Sequence, residues 1–436
     1  MANASFSASR FLASLIGCSC LLLAAGCADS GADADPAAVV EPVATPAAPR
    51  EAVRLDDPSL LAGIPGDGPL TASEVSRWLA EPTSLGPLVI ELPAWLAPGA
   101  GQVKDLSDNP LSRAKIELGR QLFFDKRLSA DGSLSCAGCH QPEHGFAYPR
   151  PLASGVSGEP GRRHPPTLLN RIMLAVGDDR QLWDGSASSV EAALLHTLAD
   201  EREMGADPAA TIARLEAIEP YRLQFVQLYG GVSWAAIGDA IGGFVRCLVT
   251  GDSPYDRAVQ WRTYERLPED LLAADPELAT RFLAAQQAAA AQPLSAAAQR
   301  GEQLFFGNRA WCSACHNGVN ITDEQFHNIG IGLDGPNPDL GRFLVTGRDA
   351  DWAAFKTPTI RNAAATAPYM HDGSLPTLAA VVDWYAQGGR PNRNLDYRFA
   401  WLEPGSLSSQ DKADLVAFIE ACSGPLPQVE AGRLPE

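Results

Sequence analysis

Two short clusters could carry chemistry in this 436-residue chain: Cys136-Ala137-Gly138-Cys139-His140 and Cys312-Ser313-Ala314-Cys315-His316. The pattern Cys-x-x-Cys-His fits attachment of a c-type haem. Two thioethers fix the porphyrin edge, and the next His is carried under the iron as proximal ligand. One match could be chance or half of a zinc site, but zinc sites use two Cys pairs or Cys with spaced His. Two copies point to two covalently bound haem c groups. Cys136, Cys139, Cys312 and Cys315 would attach them, and His140 and His316 would ligate the irons.

The elements around the clusters repeat as well. Gly119-Arg120-Gln121-Leu122-Phe123-Phe124 recurs as Gly301-Glu302-Gln303-Leu304-Phe305-Phe306, each shortly before a Cys cluster. Two distant copies imply two related domains, since they cannot stack as a solenoid. Leu111 to Phe124 is amphipathic, and Trp234, Ile237, Ile241, Phe244 and Leu248 fall at helical spacing. So do Leu415, Phe418, Ile419 and Cys422, while Leu267 to Gln292 is an Ala- and Leu-rich helical stretch. No sustained two-residue alternation appears. The fold class is mainly α, and 39 Gly and 34 Pro predict long loops between helices.

Hydrophobic residues make up 46% of the chain, which excludes global disorder. A net charge of −18 argues against nucleic acid and anionic lipid as main partners. Near the start, Arg10 precedes a short apolar run, Phe11 to Ala25, which reads as a secretory signal. The run ends Leu22-Leu23-Ala24-Ala25-Gly26-Cys27, similar to a bacterial lipobox with Cys27 lipidated; Cys18 is a rival site. The mature chain would then work in an oxidising compartment. Ala28 to Arg50 reads as an extended tether, and the next fifty residues show one helix, Ala72 to Ala80.

Two cysteines remain, Cys247 and Cys422, either buried apolar residues or a disulfide. Beyond the proximal pair there are five His, at 144, 164, 196, 327 and 371, and after processing three Met, at 173, 204 and 370. Any of these could supply a sixth iron ligand. Electron transfer prefers a haem closed by two protein ligands, whereas peroxide chemistry needs an open position.

From Asn109 to Gly424 the chain resembles the bacterial di-haem cytochrome c peroxidase family, including its MauG-like branch. The resemblance rests on Leu118 to Asp125, Pro165-Pro166-Thr167-Leu168-Leu169-Asn170, Leu182-Trp183-Asp184-Gly185 and Glu203-Met204-Gly205. It continues in Thr357-Pro358-Thr359-Ile360-Arg361-Asn362 and Thr366-Ala367-Pro368-Tyr369-Met370-His371-Asp372-Gly373. It implies two cytochrome c-like haem domains. It makes the haem of His140 peroxide-reactive, Glu203 the distal acid, and Trp183 the aromatic residue between the haems. It implies a calcium ion held at Asn170, Thr366 and Pro368 through hard oxygen donors. The haem of His316 becomes the electron-entry group. Its distal ligand is a Met in typical peroxidases and a Tyr in MauG-like proteins. Nineteen residues beyond Thr366 lies Tyr385, the favoured ligand, which could equally be the last core residue of its helix. Met370 is the rival, and His164 is a conditional ligand of the first haem or a plain loop residue.

The chain also departs from the family pattern. The usual Gln ten residues after Trp183 is Ala193, and the usual Pro in the next turn is Thr197. Glu203 is therefore expected to act with less help. The organisation expected is 1–26 signal peptide, 27–53 lipidated Cys and Ala/Pro-rich tether, and 54–104 an extension of unassigned role. Then follow 105–265 the N-terminal peroxidatic haem domain, 266–290 a helical connection, 291–428 the C-terminal electron-transfer haem domain, and 429–436 a tail. The activity expected is reduction of hydrogen peroxide with electrons from a small cytochrome c or cupredoxin, on the periplasmic side of a bacterial membrane. The alternatives are a MauG-like oxidase modifying Trp or Tyr of a partner protein, and a non-enzymatic electron carrier or sensor.

Overall fold

The computed structural model of the chain describes residues 51–104, 106–173 and 179–436. The expected signal peptide, Cys27 and the tether as far as residue 50 lie outside the described residues. Among the described residues no helix is long and apolar enough to cross a membrane.

The chain begins with β1 (Ala52–Arg54), which pairs in parallel with β2 (Val89–Glu91). Between them lies α1 (Ala72–Leu79), started by a capping box of Thr71 and Glu74. A first helical half follows: α2 (Arg113–Phe124), the single turn α3 (Cys136–Cys139), α4 (Val190–Ala199), α5 (Pro208–Ala217), α6 (Glu219–Tyr229) and α7 (Trp234–Arg246). Next come α8 (Pro254–Tyr264) and, in the connection, α9 (Glu269–Ala274) and α10 (Pro276–Ala291). The expected stretch Leu267 to Gln292 is thus two helices. Asp275 ends one and caps the next, where Pro276 takes the first-turn position that needs no N–H. The second half holds α11 (Ala296–Phe306), α12 (Phe343–Thr346), α13 (Leu378–Ala386) and α14 (Ser409–Ala421). Its only regular sheet among the described residues is the antiparallel pair β3 (Phe326–His327) and β4 (Phe355–Lys356).

The sequence repeat is a packing repeat. Helix α2 lies against α7 and α11 against α14, and each pair touches at a glycine. A Cβ on Gly119 would sit 2.0 Å from the Ala240 carbonyl oxygen; one on Gly301 would sit 1.9 Å from that of Asp414. No side chain fits there, so the glycines set the helix spacing. Ser112 and Ser295 cap the two leading helices in the same way. Phe123 and Phe244 fill the first core, Phe305 and Phe418 the second. Truncating Phe123, which is fully buried, should cost about 3–5 kcal/mol.

Cys247 and Cys422 occupy equivalent places, at the C-caps of α7 and α14, in two different cores. Both are free thiols, so the disulfide considered from sequence is not formed. Each serves as a small buried apolar group, and burial pushes the Cys247 thiol up to about 12.

The segment before residue 105 packs as part of the same body. Trp95 covers Gly251, where a Cβ would come within 2.2 Å of its ring, and Arg361 stands 4.9 Å over that ring. Gly99 packs on Val319, shortly after the second Cys cluster. The tail closes over this segment. Buried Arg433 donates to the carbonyls of Pro65 and Gly68 and pairs with Glu74 at 2.9 Å.

Candidate functional site

The first Cys cluster opens a cavity of about 790 Å³. Cys136 and Cys139 stand one turn apart on α3, and His140 caps that turn. The His140 Nδ1 lies 3.1 Å from the Phe146 carbonyl and 3.0 Å from that of Pro166. Donation to a carbonyl fixes the tautomer and leaves Nε2 as a free base. Burial lowers the imidazole to about 4, so it stays neutral. Phe146 is held at positive φ, and the Thr167 hydroxyl ties Gly145 down at 2.6 Å, which shapes the loop bearing those carbonyls. A neutral, oriented imidazole beside two thiols in a largely apolar cavity is a donor set that fits a covalent haem.

Helix α4 forms one wall of the cavity, with Val190, Ala193, Leu194 and Thr197 on the inward face. Helix α4 is itself anchored by Glu191, which pairs with buried Arg246 of α7 and accepts from Asn109 at 2.9 Å. Glu203 follows the helix end and faces into the same cavity. Its backbone is pinned: its N–H donates to Asp200 and its carbonyl accepts from Val156, each at 2.9 Å. Glu203 is open to the cavity, yet enough protein surrounds it that burial raises its carboxyl pKa. Thr197, on the same wall of the cavity, opposes that rise.

Trp183 stands at the seam between the halves. Its indole N–H donates to the His164 carbonyl at 2.7 Å, and its own carbonyl accepts from Lys356 at 2.8 Å. His371 meets it edge-on at 6.5 Å and stacks on Phe355 at 3.6 Å. Arg163 pairs with both Asp184 and Asp339 at 2.6 Å, so the second half contributes to the first cavity. His164 is buried, lines the cavity, and directs Nδ1 to the carbonyls of Arg150 and Pro151.

The second cluster repeats this frame. Thr359 donates to the Asn320 carbonyl at 2.6 Å, as Thr167 does to Gly145, and Ile321 takes the positive φ of Phe146. Burial lowers His316 to about 4, and the Ile321 and Pro358 carbonyls lie beside it. The geometry is looser there: its buried Nδ1 makes no hydrogen bond of normal geometry. Tyr385 of α13 stacks on Phe399 at 5.7 Å and feels the charges of Cys312 and Cys315. Burial pushes its phenol well up. Met370 sits at positive φ in a turn closed by Gly373, and Gly373 packs on Pro151 of the first half.

Asn170 is fully buried and closes both ends of its amide on Thr250: Oδ1 accepts from the N–H at 2.9 Å and Nδ2 donates to the carbonyl at 3.1 Å. One lone pair of Oδ1 remains. Thr366 packs beside Gly145 close to the Asn170 segment, and Pro368 follows a cis peptide bond.

A family model described as di-haem cytochrome c peroxidase matches residues 113–263. A methylamine utilization protein MauG from Methylophilus methylotrophus is 33% identical, over 75% of this chain and 88% of its own length. A cytochrome c551 peroxidase from Pseudomonas aeruginosa is 30% identical, over 77% of this chain and 86% of its own. Among solved structures, a MauG-like protein associated with microbial copper homeostasis shares 32% identity and a TM-score of 0.62, over 77% of this chain and 95% of that one. With two haem-attachment clusters on a repeated helical frame, the chain belongs to the di-haem cytochrome c peroxidase family that includes MauG.

Proposed function

We propose that this protein is a di-haem peroxidase that reduces hydrogen peroxide to water with electrons from a small redox protein. The observation that carries this reading is Glu203, a carboxylate outside the Arg163 ion pairs, facing the cavity that also holds Cys136, Cys139 and His140. Haem, when bound, supplies the redox-active iron at which peroxide is reduced. His140 is the neutral donor held ready for iron by two carbonyls. Glu203 takes a proton from peroxide and returns it to the departing oxygen, general acid–base work that suits a carboxyl with a raised pKa. Trp183 places an indole at the seam, where an electron can pass between the halves. Each turnover takes two electrons and two protons and forms two waters.

In this reading the second cytochrome c-like domain receives the electrons. His316 is its proximal ligand and Tyr385 its distal ligand, ahead of Met370, because Tyr385 feels the charges of both cysteines. Trp311 precedes Cys312 directly and forms an exposed aromatic cluster with Trp401 and Tyr397, which offers the donor an apolar landing place. An acidic chain suits a basic cytochrome c or cupredoxin. Calcium at Asn170, Thr366 and Pro368 belongs to the same reading, as does a periplasmic location with Cys27 as lipid anchor. His164 directs Nδ1 to the carbonyls of its own loop and so keeps Nε2 free, and conditional ligation of the first haem belongs to the same reading.

The Tyr385 placement and the MauG relatives favour a second reading, oxidative modification of Trp or Tyr on a partner protein. Glu203→Gln tests both. It should nearly abolish donor oxidation by peroxide while both haems stay attached. Full turnover in that variant would overturn the distal assignment. Catalytic oxidation of a small reduced cytochrome separates the first reading from the second.

A further inference from the structure

We infer that His327 is a fixed imidazolium that raises the reduction potential of the second haem. The inference rests on the reading of that haem as the electron-entry group. His327 has a carboxylate at each ring nitrogen. Nδ1 lies 2.7 Å from Asp396 Oδ2, and Nε2 lies 2.9 Å from Asp323 Oδ2. A neutral imidazole carries one N–H and one bare lone pair, and a carboxylate can only accept. Two such contacts require both N–H groups, which is the cation. The same contacts leave no nitrogen for iron, so His327 is not a sixth ligand.

The partners of the cation are themselves held. Strand β3 pairs with β4, which sets His327 opposite Phe355. The Asp323 N–H donates to the Cys315 carbonyl at 2.8 Å, and the Asp396 N–H donates to that of Asn328 at 2.9 Å. Asp396 Oδ1 accepts from the Arg398 N–H at 2.9 Å. The His327 side chain is 9% exposed, so salt and water screen its charge little. The Cys315 sulfur, an Asp323 oxygen and a His327 nitrogen all lie within 4.8 Å of one another. Such a trio could hold a metal ion, but haem attachment spends the sulfur and the two carboxylates spend both nitrogens. What the grouping places at the edge of the second haem is charge.

The charges there balance. Arg398 pairs with Asp396 at 3.0 Å, so two cations face two carboxylates. Burial works against the imidazolium, and the two aspartates outweigh it. Without His327 one carboxylate would stand uncompensated beside the sulfur that carries the haem. Reduction adds an electron, so a nearby cation favours the reduced form and a nearby anion the oxidised form. His327 thus makes the second haem a better acceptor of donor electrons. It also offsets the pull of a Tyr385 phenolate toward ferric iron.

The test is a redox titration of the protein with both haems attached, for His327→Gln and Asp323→Asn. At an effective dielectric of about 20, one unit charge this close is worth about tenfold in the reduction equilibrium, about 59 mV. His327→Gln should lower one of the two potentials by that much. Asp323→Asn should raise the same one, and the other potential should stay unchanged in both variants. Mere loosening of the haem site would move the two variants in the same direction. Shifts of the same sign, or no shift in either variant, would overturn the inference whatever peroxide turnover does. Opposite shifts, with a small reduced cytochrome delivering its electrons first to the other haem, would overturn the electron-entry reading and leave the charge assignment standing.

Discussion

Asn170 and Asn362 hold the same place in the two halves, and Thr250 joins them. Asn170 exchanges two hydrogen bonds with the backbone of Thr250; Asn362 does the same with Gly424, at 2.8 and 3.1 Å. Both asparagines are at positive φ, a conformation Asn tolerates better than bulkier residues. The Thr250 hydroxyl then lies 2.9 Å from Asn362 Oδ1. Each half thus ties its post-haem loop to the end of its own last helix, and one hydroxyl links the two ties. Asn362→Ala would orphan half-buried backbone groups at Gly424 and should cost about 2 kcal/mol. Thr250→Val should cost about 1 kcal/mol. Denaturant midpoints measure both, and equal losses would show that the link, not the local tie, dominates.

The anchor of α4 gives a pH prediction. Burial acts to raise the carboxyl of Glu191, but Arg246 and Asn109 outweigh it and hold it at about 2. The folded pKa is below the unfolded value, so this stabilisation is complete above about pH 4.5 and is lost as pH falls through 2. The shift corresponds to about 3 kcal/mol. Glu191→Gln should remove that acid-sensitive component and flatten the stability profile below pH 4.5. Breaking a buried pair also leaves Arg246 uncompensated, so the variant should be weaker at neutral pH as well. Stability that falls through the acid range as steeply in Glu191→Gln as in the parent would contradict this.

The haem clusters and their leading helices were legible because a short covalent motif and a repeated Gly-Leu-Phe-Phe frame survive as local text. Glu203 and Trp183 were legible only through the family pattern, since nothing local in a lone Glu or Trp marks it. Three features were hidden because they depend on distant contacts. Cys247 and Cys422 became equivalent only when α7 and α14 were seen in corresponding cores. The segment 54–104 showed scattered apolar residues and no strong period. Its Trp95 reads as core only once Gly251 and Arg361 are brought against it. Arg433 in the tail looks like a solvated charge in the sequence, yet it is 4% exposed among carbonyls of the N-terminal segment.

The ligand assignment at the second cluster is open to spectroscopy. Phenolate is a hard anionic donor that favours ferric iron, whereas Met raises the potential. Tyr385→Phe should leave the second haem attached but change its ferric spectrum and raise its potential by well over a tenfold equilibrium factor, about 59 mV. Met370→Leu should leave both unchanged. If Met370→Leu removes a thioether charge-transfer band and Tyr385→Phe does nothing, the two roles are reversed. In that case Tyr385, packed face to face with Phe399, is a core residue closing α13.

The aromatic cluster beside the second motif gives the last prediction. Tyr397 is 63% exposed and Trp401 44%, and the Trp401 ring lies 4.9 Å from Trp311 and 5.4 Å from Tyr397. The three large rings stay partly exposed to water, and exposed apolar clusters of this kind mark interaction surfaces. Arg398 stands 4.9 Å over Tyr397 and fixes its ring, so the surface is preorganised. On the proposed reading, a redox donor that lands here is brought next to Cys312 and the electron-entry haem. Trp401→Ala and Tyr397→Ala should each raise KM for a protein donor about tenfold, the effect of losing one aromatic anchor. Turnover with a small organic reductant, which needs no landing surface, should stay unchanged. Equal losses with both reductants would mean that the cluster supports the haem site itself rather than the encounter.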